Sequence, residues 1–130
     1  MARRRISLID GMTAVEQVLA NAELKQGGSV FTMAVRFLLE DLAERVPGNT
    51  VEVRVPPLGA TQCVQGPAHR RGTPPNVVEM NATTWFELAV GQLSIQSALA
   101  DAKVIASGVR ALEFAEALPL IRGKDHLLGS

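Results

Sequence analysis

At Pro47 and Gly48 the apolar residues of this chain stop recurring at helical spacing and begin to alternate. That change of period confines the fold to one that joins helices to a sheet. Upstream, Phe31, Ala34, Val35, Phe37, Leu38, Leu39 and Leu42 cover more than one stripe of a helix running from about Val30 to Arg45. A helix apolar over so wide an arc packs against a sheet and a second element together. Downstream, Val51, Val53 and Val55 share one face of a strand while Glu52 and Arg54 share the other, and Pro56 with Pro57 breaks the ladder.

The flanking segments read in the same way. Met12, Val15, Val18, Leu19 and Ala22 predict a first helix from Met12 to Lys25, opened by a Thr13–Glu16 capping box and stopped by Gly27 and Gly28. Ser29 is the expected cap of the second helix. Further strands are expected from about Ala60 to Gln65, from Asn76 to Met80 and from Lys103 to Ser107, with a basic turn from Pro67 to Pro75. A Thr84–Glu87 capping box predicts a short helix stopped by Gly91, and Ser94 caps another that carries Ile95, Ala98 and Leu99 inward. A last helix from Val109 to Ala117 presents Leu112, Phe114, Ala115 and Leu118 before Pro119 ends it. The sum is one α+β domain with helices largely on one sheet face, the other face being polar or paired with another chain.

Several function classes are disfavoured. Thirteen basic residues balance thirteen acidic ones among 130, so no global field recruits nucleic acid. A single cysteine, Cys63, and two histidines, His69 and His126, are too few to close a zinc site, and no metal is expected. The chain lacks a G-x-S-x-G elbow and both phosphate-cradling glycine loops, so neither nucleophilic catalysis nor a nucleotide cofactor is expected. Cys63 reads as a small buried apolar residue. No apolar run is long enough to span a bilayer, and Asp10, Glu16 and Gln17 interrupt any signal-peptide core after Arg3, Arg4 and Arg5. A cytoplasmic location is the expectation.

The stretch Arg71-Gly-Thr-Pro-Pro-Asn-Val-Val-Glu79, followed by Thr84-Trp-Phe-Glu-Leu-Ala-Val-Gly91, Ala98 and Val104-Ile-Ala-Ser-Gly108, resembles the sterol-carrier (SCP2-like) family, particularly its short stand-alone actinobacterial members. Leu88-Ala-Val-Gly91-Gln-Leu93 occupies the place of that family's glycine-stopped turn, and the resemblance runs from about Val51 to Ile121. It implies a mostly antiparallel sheet of about five strands layered with helices around an apolar tunnel. It also implies a non-catalytic protein that binds or transfers a sterol, lipid or fatty acyl chain, with transient membrane contact and a homodimer among its partners.

On this reading residues 1–28 form an N-terminal helical extension, 29–122 the lipid-binding domain and 123–130 a loose tail. Burial of an acyl chain supplies about 0.8 kcal/mol per CH₂, so the expected lining is apolar: Val53, Val55, Val64, Val78, Trp85, Leu88, Leu99 and Leu118. Arg70 and Arg71 are the expected headgroup contacts at the mouth. The alternative is an interaction or dimerisation module, since SCP2-like domains also complete enzymes such as mycothiol-dependent isomerases.

Overall fold

A computed structural model describes residues 5–66 and 75–121. In chain order the elements are α1 (Leu8–Ala20), a 3₁₀ turn (Ala22–Gln26), α2 (Ser29–Arg45), β1 (Val51–Val55), β2 (Gly59–Cys63), β3 (Asn76–Met80), α3 (Ala82–Ala89), α4 (Ile95–Ala100), β4 (Val104–Ser107) and a second 3₁₀ helix (Ala111–Ala117). The strands form one sheet in the order β2-β1-β3-β4. Val53 of β1 stands between Thr61 of antiparallel β2 and Val78 of parallel β3, and Val78 in turn faces Ala106 of antiparallel β4. The sheet described is therefore mixed, with four strands where the resemblance implied about five.

Alternation decides which face is covered. Val51, Val53, Val55, Cys63, Val78, Met80 and Val104 are buried, whereas Glu79, Gln62 and Ile105 on the opposite face are exposed. Helices pack on the first face only through their apolar sides. Ala14, Val15 and Val18 of α1, the broad apolar arc of α2, and Trp85, Phe86 and Leu88 of α3 join these strand residues in one core, closed by Phe114, Leu120 and Ile121. α1 approaches α2 closely because Gly11 has no side chain: a Cβ there would overlap the Phe37 ring.

Several helix starts differ from the sequence expectation. α1 opens at Leu8, with Ser7 Oγ accepting the Asp10 amide at 3.1 Å, so Thr13 and Glu16 lie inside the helix rather than at its cap. A cap is a local hydrogen-bond geometry, and the earlier serine was overlooked because Leu8 and Ile9 after it are exposed and break the apolar pattern. Asn21 halts α1 and caps the following 3₁₀ turn. α2 is preceded by Gly28, not capped by Ser29, which is its first residue. α3 is capped by Asn81, whose Oδ1 accepts the Thr84 amide at 2.8 Å; Thr84 is thus the capped residue rather than the cap. Ser94 caps α4 as expected, accepting the Ser97 amide at 3.1 Å.

The last helix is 3₁₀ rather than α. Arg110, the residue just before it, binds Glu113 through Nε and Nη2, both at 2.9 Å. The hydrogen bond to Arg110 holds the Glu113 carboxyl below its usual range. The Arg110 amide also donates to Asn76 Oδ1 at 3.0 Å, tying this helix to the start of β3. The changed twist buries Phe114 but leaves Leu112 exposed and Val109 outside the helix altogether.

Candidate functional site

The expected lining residues separate into two environments. Val53, Val55, Val78 and Trp85 have no solvent exposure, and Val64 and Leu88 are also buried. They touch one another across the packed interior between sheet and helices. The Trp85 indole N–H donates to the Val35 carbonyl at 3.2 Å, which satisfies its polar atom inside α2's contact surface. Val64 adopts a left-handed backbone (φ 71°) and its amide donates to Val46 at 2.9 Å, fixing the chain where it leaves β2.

Leu99 was expected to face inward, yet it is 38% exposed. α4 has only six residues and turns Ala98 to the core, which places the next residue about 100° away, toward solvent. Arg70 and Arg71 lie outside the described residues, as do His69 and His126.

Leu88 and Leu118 are brought together at an open cleft of about 340 Å³. Its walls are Leu88, Leu93, Ile95, Ala115, Leu118 and Pro119, and Gly91, Ser94 and Gln96 supply the polar part of the rim. The local sequence explains why it forms. Gly91 takes a positive φ of 81°, ending α3 and turning the chain so that Leu93 and Ile95 return beside Leu88. The Gln92 amide donates to the Glu87 carbonyl at 2.8 Å and locks that turn. On the far side the amides of Leu120 and Ile121 both donate to the Ala89 carbonyl, at 2.8 and 3.1 Å, and so hold Leu118 and Pro119 against the end of α3. A cleft of this volume, with six apolar side chains beside polar groups of comparable exposure, has room for part of a small ligand.

Leu93, Ile95, Ala115 and Pro119 were not among the expected lining residues. The glycine-stopped turn Leu88–Leu93 pointed to this place, but the contribution of residues 115–119 depends on how the 3₁₀ helix folds back.

The chemistry available elsewhere is limited. Cys63 is buried, and loss of hydration pushes its thiol from 9.0 up to about 12, so it stays protonated and unreactive near neutral pH. Among the described residues no group of three or more His, Cys, Asp or Glu is placed to hold a metal ion, and no helix is long and apolar enough to cross a membrane.

Fold and cleft together define an α+β domain that layers helices on one face of a mixed sheet and leaves an open cleft, lined partly by apolar side chains, at the end of α3. The family model for bacterial SCP orthologs matches residues 27–120, more than half of the chain, and the protein belongs to this SCP-like sterol-carrier family. Comparison with curated proteins gave no match. The matched stretch begins just before α2, so α1 precedes it while sharing its core.

Proposed function

We propose that this protein is a non-catalytic carrier that binds a sterol, lipid or fatty acyl chain, with residues 29–122 as the binding unit. The observation that carries the reading is the cleft at Leu88 and Leu118, apolar enough to take a hydrocarbon out of water and close to the glycine-stopped turn of the family match. Transfer of each methylene into such a site is worth about 0.8 kcal/mol, so a chain of moderate length binds without any covalent step. Ser94 is already engaged as a helix cap and Gln96 stands at the rim, which leaves neutral polar contacts for the ligand's head. Arg70 and Arg71 remain proposed headgroup contacts.

Native mass spectrometry of detergent-free protein, paired with titration of a fluorescent fatty alcohol, tests the reading. Bound lipid or saturable binding is expected, with Leu118→Asp abolishing the alcohol's binding while circular dichroism still reports a folded chain. Absence of both signals, or binding indifferent to that substitution, would refute the site.

A second reading is favoured by one observation: Ile105 stands 70% exposed on β4, at the edge of the open sheet face. As an interaction module the protein would bury this face against another chain. Light scattering separates the readings, because a monomer that binds fatty acid is a carrier and a dimer without ligand is a module.

A further inference from the structure

The fold neutralises most of its cations but leaves two of them facing one cleft. Of the seven described lysines and arginines, Lys25, Arg45, Arg54 and Arg110 each pair with a carboxylate within 3.5 Å or less. Arg5 and Arg36, two of the remaining three, line a single cleft of about 480 Å³ between the N-terminal segment, α2 and the β1–β2 hairpin. Ile6, Leu39 and Leu58 supply apolar lining beside Thr61 in a cleft of mixed character.

The Arg36 side chain and the Arg5 backbone are held in place. Arg36 Nε donates to the Leu58 carbonyl at 2.8 Å, which fixes the guanidinium at the hairpin while its two terminal nitrogens keep their donors. The backbone beside Arg5 is fixed by Glu40, whose Oε1 accepts the amides of Arg5 and Ile6 at 3.0 and 3.1 Å. Glu40 is the acidic group among the described residues that line the cleft, and both amides bond its Oε1. Among the described residues, two arginines against one carboxylate leave the cleft net positive beside Ile6, Leu39 and Leu58.

We propose that this cleft is a binding site for an amphiphilic oxyanion: a carboxylate, sulfate or phosphate carried on a short apolar body. The head lies between Arg36 and Arg5, whose planar donor forks match an oxyanion, and the body lies on Leu39, Leu58 and Ile6. This goes beyond the carrier reading above, because the cleft shares no residue with the one at Leu88 and Leu118.

Dodecanoate, dodecanol and acetate titrated separately into the full chain, followed by amide chemical shifts and calorimetry, test the assignment. Dodecanoate is expected to move the amides of residues 5–6, 36–40 and 58–61, and the affinity read from those amides should exceed that of dodecanol or acetate by at least about tenfold. Arg36→Gln and Arg5→Gln should each weaken dodecanoate several-fold. Thr61→Asp, which removes no described hydrogen bond and adds a negative charge, should do the same while the thermal midpoint is retained. Equal binding of dodecanol would overturn the anionic head, and equal binding of acetate would overturn the apolar body. Shifts confined to the Leu88–Leu118 cleft, or Arg5→Gln without effect on dodecanoate, would overturn the site itself while leaving the carrier reading standing.

Discussion

Trp85 and Cys63 show how one side chain reports on the whole interior. Trp85 has no exposed surface and a satisfied indole N–H, so its emission is expected to be strongly blue-shifted, and Trp85→Ala should cost about 3–5 kcal/mol in chemical denaturation. An exposed-type spectrum or a loss below about 1 kcal/mol would contradict the packing. Cys63 offers a pH test with a definite sign. Its thiol binds a proton more tightly in the folded chain than in the unfolded one, from 9.0 up to about 12. Its contribution is therefore fully present below pH 9 and is lost as pH rises toward 12. The decline is at most ~1.4 kcal/mol per pH unit. Denaturation profiles of the protein and of Cys63→Ala should diverge in that window alone, with the parent carrying the steeper fall.

At the scale of elements, the parts that could be read from sequence were those set by periodicity. The β1 and β3 boundaries follow directly from Val51 to Val55 and from Asn76 to Met80, because a half-buried strand writes its pleat into alternate residues. Helix starts were less legible. Ser, Thr, Asn and Gly can all stand at a cap, and choosing between Asn81 and Thr84 needs the backbone dihedrals that only the folded chain displays. The 3₁₀ character of residues 111–117 and the outward turn of Leu99 escaped for a related reason: in segments of six or seven residues, one turn of phase decides which side is buried. The cleft was legible only in part, since Leu88 sits in a recognisable turn whereas Leu118 reaches it through long-range hydrogen bonds to Ala89. Asn81→Ala should remove the α3 cap at a cost of about 1 kcal/mol, measurable by denaturation. Asn81→Ser should restore most of the loss, which would separate capping from a general surface effect.

For the molecule as a whole, the proposed carrier role has a thermodynamic signature. A ligand that binds only the folded chain raises the unfolding free energy by RT ln(1 + [L]/Kd), which at a hundredfold excess over Kd is about 2.7 kcal/mol. Dodecanol, which lacks the charged head that the Arg5–Arg36 cleft selects, is therefore expected to raise the thermal midpoint of the parent, and to leave that of Leu118→Asp unchanged, in scanning calorimetry. Stabilisation of both proteins alike would place the ligand elsewhere.

The close seating of α1 on α2, made possible by Gly11 beneath the Phe37 ring, carries a lesson about modularity. The family match starts at residue 27, yet Ala14, Val15 and Val18 from before that point close one side of the core. A shortened polypeptide starting at residue 27 would leave Phe37 and Val35 uncovered, so it should bind a hydrophobic dye and unfold at markedly lower temperature, and a synthetic peptide covering residues 5–21 should restore it. The groove that α1 fills on α2 is thus shaped for a helix whose contact residues are small, whichever chain supplies it.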